Sequence, residues 1–444
     1  MRVKKATEAI CDGHSPPDRQ SGYNRSFIEP TAPATMTHHP DTRDTDITNF
    51  DLMDLPADFV PDAYRYLAAL RTNSPLHRNA DGSYILTRYA DLETAYRDPA
   101  VWSSDKKINF KPKFGDSPLY EHHTTSVVFR DPPDHTRIRK LFQAAFTRGA
   151  LAALESRINA LVDTYLDELA ERREMEVVGD FSFKLPVEVV CDMLGVPSSD
   201  RILIRDWALL ILGALEPVLS DAEFAAGCRA VEDFKAYLRD LINHRKAHPA
   251  DARPGEILTA LVEAEEDGDK LSELEVLHQC IFLLNAGHET STNMISHGIH
   301  EMLRNPDQVA RLSAAPELID SAVEEILRYQ APIQINNRRA LVDTELSGVS
   351  LAAGSVVHLM IGGANHDPAQ FPEPQNFDIT RRPNRHLSFG LGVHICAGNT
   401  LARIEGKIAF GKLFQRFPNL RLEAPAKLSG RIRFREVTEL RIAT

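Results

Sequence analysis

A glycine-rich segment near the carboxyl end of the chain contains the residues best suited to bind a metal. It reads His386-Leu-Ser-Phe-Gly-Leu-Gly-Val-His-Ile-Cys396-Ala-Gly. Glycines at 390, 392 and 398 permit backbone angles and close approaches that other residues do not, so the chain can wrap tightly around a flat group. We expect a helix over 396–416, at whose start free N–H groups and the positive end of the helix dipole favour a Cys396 thiolate. A thiolate there can bind a metal ion.

The other cysteines lack such surroundings. The chain has five cysteines, at 11, 191, 228, 280 and 396. Because no two are in C-x-x-C spacing, the sequence predicts no disulfide scaffold, cysteine-only zinc site or thioredoxin-like pair, and a reducing cytoplasm is the expected compartment. A buried cysteine is ordinarily a small, inert hydrophobic residue, and we expect this of the four without flanking glycines.

A second polar constellation interrupts the longest and most apolar helical pattern, 271–304. It reads Ala286-Gly287-His-Glu289-Thr290. A buried threonine commonly donates to the carbonyl four residues back, here that of Ala286. Alternatively, the small residues leave room for a diatomic ligand, while Glu289 and Thr290 relay protons to it. The zinc pattern H-E-x-x-H is not fulfilled, because a threonine takes its last position.

Charged side chains recur at helical spacing in two further segments. Glu325 and Arg328 are three residues apart, so they share a helix face and can form an ion pair. An exposed pair of this kind contributes less than about 1 kcal/mol. His135 and Arg139 are four residues apart, on the same face of a helix that follows Pro132 and Pro133.

These segments together resemble the cytochrome P450 superfamily. The pattern F-G-x-G-x-H-x-C-x-G resembles its haem-binding signature, with Cys396 at the axial iron ligand, and 286–290 resembles its oxygen-activation motif. The resemblance extends from about residue 60 to the end of the chain, with the motifs in family order. They occupy 131–139, 286–290, 325–328, 371–378 and 386–398.

The resemblance implies haem b as cofactor, with Cys396 as its thiolate ligand. The residues that it places against the cofactor are Ala286, Gly287, Phe389, Gly390 and Gly398. Those that it places at the haem propionates are His135, Arg139, Arg338, His386 and His394. Glu289 and Thr290 become catalytic, whereas Glu325 and Arg328 become a structural brace. The third partner of that brace is open, because Asn376 stands where family members often have arginine.

Periodicity predicts a mainly α protein with a minor β part. Helical patterns cover 149–172, 221–247, 271–304 and 396–416, and strand-like segments lie at 83–87, 338–341, 355–360 and 420–422. No linker interrupts them, so we expect one large cytochrome P450-like domain over 46–444. Residues 1–45 are rich in polar residues and proline and are predicted to be a disordered tail, in which Met36 is an alternative start.

The resemblance further implies a haem-thiolate monooxygenase of the soluble bacterial type. Such an enzyme inserts one atom of dioxygen into a C–H bond of a small, largely apolar substrate by hydroxylation or oxidative dealkylation. Electrons would come from a separate ferredoxin and its NAD(P)H-dependent reductase, since no flavin or iron–sulfur signature is visible. A peroxide-driven or other non-monooxygenase haem-thiolate enzyme, or a non-enzymatic haem sensor or electron carrier, stays open.

Charge limits the other partners. With 51 basic and 63 acidic residues the net charge is −12, which disfavours nucleic acid and acidic membranes. No apolar run reaches the ~18 residues of a membrane-spanning helix, and we expect a cytoplasmic monomer. Six local cations are predicted to dock an acidic ferredoxin: Arg130, Arg137, Lys140, Arg381, Arg382 and Arg385.

Substrate choice is predicted to depend on 101–128, about 205–225 and 332–337. The stretch from Lys106 to Phe114 interleaves basic and aromatic residues, and Asn336 and Asn337 are polar where an apolar wall is expected. The simpler interpretation is a solvated loop. The alternative is a substrate that bears a carboxylate or another polar group on an apolar body.

Overall fold

Helices form most of the chain that the computed structural model describes, namely residues 45–143, 146–248, 256–259, 261 and 271–444. The described residues all belong to one compact unit, while the predicted tail, with Met36, lies outside them apart from Thr45. The helices are α1 (Ala63–Asn73), α2 (Tyr89–Arg97), α3 (Lys107–Phe114), α4 (Pro118–Thr125), α5 (Asp134–Gln143), α6 (Arg148–Arg172), α7 (Lys184–Met193), α8 (Arg201–Gly213), α9 (Asp221–Ala247), α10 (Glu273–Arg304), α11 (Pro306–Ala314), α12 (Ile319–Tyr329), α13 (Ile361–Ala364) and α14 (Asn399–Arg416). The mainly α prediction is confirmed.

The strands are short and fall into small sheets. They are β1 (Leu76–Arg78), β2 (Tyr84–Leu86), β3 (Trp102–Ser103), β4 (Glu174–Glu176), β5 (Ile335–Ala340), β6 (Thr344–Leu346), β7 (Val349–Leu351), β8 (Val356–Met360), β9 (Arg421–Leu422), β10 (Lys427–Leu428), β11 (Val437–Glu439) and β12 (Arg441–Ala443). The largest sheet has the order β1-β2-β8-β5-β3, in which only β2 and β8 run parallel. All four predicted strand segments are present.

Helix α10 passes through the interior because its sequence is apolar on most sides and well capped. Ser272 and Glu275 form a reciprocal capping box at its start, and the helix continues for 32 residues. Most of its side chains are buried, including polar ones such as Asn293 and His297. Burial on several sides agrees with the apolar pattern seen in the sequence.

Two glycines allow neighbouring helices to pack closely on α10. A Cβ atom at Gly298 would lie 2.4 Å from the ring of Phe410 on α14, and one at Gly287 would lie 2.5 Å from Val190 on α7. A Ser291–Glu405 hydrogen bond of 2.5 Å also ties α10 to α14. The helix that follows Cys396 is therefore fixed against the helix that carries Ala286–Thr290. No helix in the described residues has the length and apolar character needed to cross a bilayer.

Candidate active site

Cys396 lies in a tight loop just before α14. A 3₁₀ turn at Gly392–His394 precedes it, and the helix begins at Asn399 rather than at 396 as predicted. The Cys396 N–H donates to the Phe389 carbonyl at 2.9 Å, and the Asn399 side chain donates to the Cys396 carbonyl at 2.6 Å. These bonds close the loop around the cysteine, so a turn rather than the first helical residue presents its sulfur.

Glycine is required at two loop positions. Gly390 and Gly392 have φ values of 64° and 67°, a region that side-chain-bearing residues rarely adopt. A Cβ atom at Gly392 would also lie 2.4 Å from the carbonyl oxygen of Tyr96. The predicted role of the glycines as conformational requirements of the loop therefore has a direct structural reason.

The surroundings of Cys396 include groups that favour its thiolate. Burial raises the pKa of the thiol, and the Gly398 backbone N–H and the charges of Arg139 and Arg403 oppose this rise without cancelling it. The Arg403 guanidinium also lies 4.5 Å from the centre of the Phe389 ring below the loop. By contrast, burial raises the pKa of Cys280 to about 12 with no opposing group. The half-buried Cys396 is thus better suited to ligation than this core cysteine.

Four of the predicted propionate ligands lie close to the cysteine loop or to one another. The rings of His135 and His394 are 4.1 Å apart. Arg139 donates to the Ile395 carbonyl at 2.5 Å, and burial together with the charge of Arg338 lowers the pKa of His394 to about 2. The cluster consists of His135 and Arg139 from α5, Arg338 from β5 and His394 from the cysteine loop.

The same cluster contains two residues that sequence reasoning did not assign to it. Lys106, which is only 3% exposed, donates to the Asn337 carbonyl at 3.2 Å. Its positive charge also helps to lower the pKa of His394. The centre of the Tyr96 ring lies 5.1 Å from the Arg338 guanidinium, and burial raises the pKa of the Tyr96 hydroxyl. Lys106 belongs to the basic stretch from Lys106 to Phe114, for which the sequence offers substrate binding as the alternative, whereas no sequence pattern indicates a role for Tyr96.

The segment Ala286–Thr290 combines a local bond with a buried ion pair. The Thr290 hydroxyl donates to the Ala286 carbonyl at 2.7 Å, as the simpler interpretation predicts. Gly287 was predicted to leave room beside the cofactor, but its bare face meets Val190 of α7. Glu289 is ion-paired with Arg431. Burial raises the pKa of the Glu289 carboxyl, and the Arg431 guanidinium opposes this shift.

Glu325 and Arg328 form a fully buried network with a third member. Two hydrogen bonds of 2.8 Å join their side chains, and neither is solvent-exposed. Arg381, predicted as a surface cation, lies 3.2 Å from the Glu325 carboxylate, and Asn384 donates to it at 3.0 Å. Asn376 contributes its backbone carbonyl to Arg328 at 3.2 Å rather than its side chain. The open position in the network is therefore filled by Arg381.

Comparison with known proteins agrees with this geometry. The cytochrome P450 family model matches residues 209–426. Identity is 37% to cytochrome P450 107B1 of Saccharopolyspora erythraea, over 84% of this chain and 92% of that protein. The chain belongs to the cytochrome P450 superfamily. Identity to the vitamin D(3) 25-hydroxylase of Pseudonocardia autotrophica is 37%, over 80% of this chain and 86% of that protein.

A solved structure extends the similarity to three dimensions. It is the crystal structure of P450BioI in complex with hexadec-9Z-enoic acid ligated acyl carrier protein, with a TM-score of 0.82 at 33% identity. The match covers 87% of this cytochrome P450 and 100% of that chain. The family's haem, with an axial cysteine thiolate, is therefore the cofactor of this protein, which is a haem-thiolate monooxygenase in general type.

The residues present in this cytochrome P450 fit that cofactor. Nδ1 of His135 and Nε2 of His394 are buried without a hydrogen-bond partner in the described chain. Arg338 and Lys106 donate to backbone carbonyls, and neither forms an ion pair with any described carboxylate. Buried donors and cations without anions are the partners that two carboxylates require. These side chains would hold the haem propionates, and the Cys396 sulfur would bind the iron.

The structure does not bring His386 to this cluster. Its Nε2 lies 3.2 Å from the Glu324 carboxylate, and its Nδ1 accepts from the Ser388 N–H at 3.2 Å. Glu324 also pairs with Arg403 at 2.6 Å. With both ring nitrogens engaged, His386 has no free donor for a propionate. His386 instead connects the cysteine loop to Glu324 of α12, and Glu324 in turn contacts Arg403 of α14.

The six cations predicted to dock a ferredoxin divide into two groups. Arg130 pairs with Asp134 at 2.9 Å, Arg137 pairs with Glu275 at 2.5 Å, and Arg381 belongs to the Glu325 network. The three exposed members of the predicted set are Lys140, Arg382 and Arg385. These three have the accessibility that a docking surface requires.

Proposed function

We propose that this cytochrome P450 inserts one oxygen atom into a C–H bond of a small, largely apolar organic molecule, by hydroxylation or oxidative dealkylation. The observation that carries the proposal is the Cys396 loop, which is closed by the bond from the Cys396 N–H to the Phe389 carbonyl and by the bond from the Asn399 side chain to the Cys396 carbonyl. The bound haem supplies the redox chemistry, and thiolate ligation favours cleavage of the O–O bond. The protein residues hold the cofactor, hold the substrate and deliver protons.

Glu289 is proposed to deliver protons. A buried carboxyl with a raised pKa retains a proton closer to neutral pH than an exposed glutamate does, so it can both donate and recover one. One carboxylate oxygen faces Arg431, and the other, Oε2, is buried without a partner in the described residues. The Thr290 hydroxyl follows directly in the chain and is proposed to pass the proton onward.

Electrons are proposed to come from a ferredoxin and its NAD(P)H-dependent reductase. Lys140 follows Arg139, which contacts the cysteine loop, and Arg382 and Arg385 precede that loop. An acidic partner would be attracted to these exposed cations despite the net charge of −12. Lys140→Glu should slow ferredoxin-dependent reduction most strongly at low salt, whereas Lys111→Glu, at an exposed position of α3, should have little effect.

The reaction type is tested by comparing two sources of oxidising equivalents. We expect product to require dioxygen, reduced pyridine nucleotide, surrogate ferredoxin and reductase together. Labelled dioxygen should supply the oxygen atom in the product. Turnover by hydrogen peroxide alone, with no product from the reconstituted electron-transfer chain, would contradict the proposal.

A further inference from the structure

Two of the three segments predicted to determine substrate choice meet at one arginine, and a lysine joins the third segment to them. Arg433 lies in the loop between β10 and β11, outside all three segments. Its Nε donates to the Leu215 carbonyl at 3.2 Å, and its Nη1 donates to the Ile335 carbonyl at 2.9 Å. Lys113 adds the third segment, since its Nζ donates to the Glu216 carbonyl at 2.5 Å. Arg433 and Lys113 thus stand where these segments converge.

The convergence point carries a concentrated positive charge. Burial, followed by the charge of Arg433, lowers the pKa of Lys113 to about 8. Burial and the charges of Arg338 and Arg433 also lower the pKa of Lys106. Lys106 is one of the residues that would hold the haem propionates, so Lys113 and Arg433 are the two cations here without such an anion. They repel each other in a partly buried region of a protein whose overall charge is negative.

Among the described residues, no acidic side chain forms an ion pair with Lys113 or Arg433. The Lys113 and Arg433 side chains donate to backbone carbonyls, and neither is within ion-pairing distance of a carboxylate in the described part of the chain. Carbonyl oxygens satisfy N–H groups but carry no full negative charge, so the cost of burying the cations is incompletely offset.

Glu216 is the acid whose charge acts on both Lys113 and Arg433, and its carboxylate is engaged elsewhere. It lies 3.4 Å from the Arg431 guanidinium and accepts the backbone N–H groups of Ile432 and Arg433 at 3.2 and 3.3 Å. The negative charge of Glu216 favours the protonated form of Lys113, but the carboxylate is not within ion-pairing distance of the Lys113 ammonium group. The region therefore retains positive charge after Glu216 is counted.

An unpartnered histidine lies among the same residues. His123 is 2% exposed, and its Nε2 has no hydrogen-bond partner in the described residues. Burial and the nearby charges of His122, Lys113 and Arg433 lower its pKa, so the ring is neutral and can donate one hydrogen bond. The rings of Phe110, Phe114 and Phe129 are within 5.9 Å of it and form an apolar wall. A polar donor beside an aromatic wall suits an amphiphilic ligand.

We propose that Lys113 and Arg433 bind the carboxylate of a substrate whose remaining body is apolar. This inference rests on the proposed function, because it names the substrate class of the same site. The ammonium and guanidinium groups would supply charge-assisted hydrogen bonds to the carboxylate, while the aromatic wall would contact the hydrocarbon part. The anion would neutralise charge that the protein itself leaves uncompensated.

The test uses the haem-loaded full chain and three probes of equal chain length: tetradecanoic acid, its methyl ester and tetradecyl phosphate. Binding is measured by calorimetry. We expect the acid to bind at least about tenfold more tightly than the ester, and Lys113→Met or Arg433→Gln to remove that preference. Lys113→Arg should retain it. Lys111→Met, on the exposed face of the same helix, is the matched control and should leave both affinities unchanged.

Several outcomes would overturn the inference. They are equal affinity for acid and ester, equal losses for both probes in the Lys113 and Arg433 variants, or a phosphate that binds more tightly than the acid. Ferredoxin-dependent turnover of the ester on the same preparation reports separately on the proposed function. Oxidation of the ester without any preference for the acid contradicts this inference alone. Tight acid binding without turnover of any probe contradicts the proposed function alone.

Discussion

Two regions of charged side chains in the interior of this cytochrome P450 differ in whether opposite charges contact each other. Around Glu325, opposite charges contact each other directly, with Arg328 at 2.8 Å and Arg381 at 3.2 Å. Nearby, burial raises the pKa of Glu324, but hydrogen bonds from His386 and Arg403 outweigh it and lower the value to about 2. Around Arg433, the cations contact only carbonyl oxygens. The first region is complete without a ligand, whereas the second is completed by one.

This difference separates residues that maintain the fold from residues that bind. We call Glu325, Arg328 and Arg381 a closed network, because their opposite charges contact each other. Removing one member leaves a buried charge unpaired, which lowers the free energy of unfolding. We call Lys113 and Arg433 an open cluster, because no carboxylate in the described residues pairs with them. Removing one of these cations relieves repulsion between like charges, so stability should change little. The loss should instead appear in the affinity for an anionic ligand. Substitutions in the two regions should therefore move different observables.

The largest effect is expected at Glu325. Glu325→Gln leaves Arg328 and Arg381 buried without a counter-charge and should lower the free energy of unfolding by about 3–5 kcal/mol. Urea denaturation of the holoprotein measures this loss, and Glu317→Gln on the surface is the matched control. A loss below about 1 kcal/mol would show that the network is not a brace.

Glu405 is a buried acid that forms no ion pair with the described residues, so it provides a third case between the two regions. Burial raises the pKa of Glu405 from 4.5 to about 7, although the Ser291 hydroxyl opposes the shift. Because its folded pKa is above its unfolded value, its contribution to stability is present below pH 4.5 and is lost as the pH rises through about 7. Glu405→Gln should therefore gain about 2–3 kcal/mol relative to the native protein between pH 5 and pH 8. Urea denaturation at both pH values measures the gain, and a constant difference would contradict it.

A smaller loss is expected at the newly identified member of the closed network. Arg381→Gln removes one cation from Glu325 but leaves Arg328 in place, so the free energy of unfolding should fall by about 1.5 kcal/mol. Arg385→Gln, an exposed residue of the same segment, serves as the control. If the two variants are equally stable, Arg381 is a surface cation, as the sequence first suggested.

The smallest change in stability is expected in the open cluster. Lys113→Met loses its bond to the Glu216 carbonyl but also removes an uncompensated charge, so the unliganded holoprotein should change by less than about 1 kcal/mol. The same urea series measures it. A loss as large as that of Glu325→Gln would mean that Lys113 is structural and would erase the contrast between the regions.

Local patterns predicted the elements and the loop but not the long-range neighbours. Helices α6 and α9 begin within one residue of prediction, because Thr147 and Ser220 cap them with local side-chain bonds. The glycines of the cysteine loop and the Glu325–Arg328 pair are equally local. Such features can be predicted from residue type and spacing alone.

The neighbours that were missed come from sheet and loop geometry. Pairing of β3 with β5 sets Trp102 opposite Ala340, and this brings Lys106 beside Asn337 although 231 residues separate them. Arg433 is placed by a loop that packs on two distant carbonyls. Arginine is a residue type that usually lies on the surface, yet only 11% of the Arg381 side chain is exposed. No single-sequence pattern encodes these contacts.

The carbon monoxide spectrum of the freshly prepared, reduced holoprotein tests directly whether the Cys396 sulfur ligates the haem iron. If the Cys396 sulfur ligates the haem iron, the Soret band of the complex should show the red shift that thiolate ligation produces, and Cys396→Ser should abolish that shift. A complex without the red shift in intact protein, or one that Cys396→Ser leaves unchanged, would contradict the assignment of Cys396.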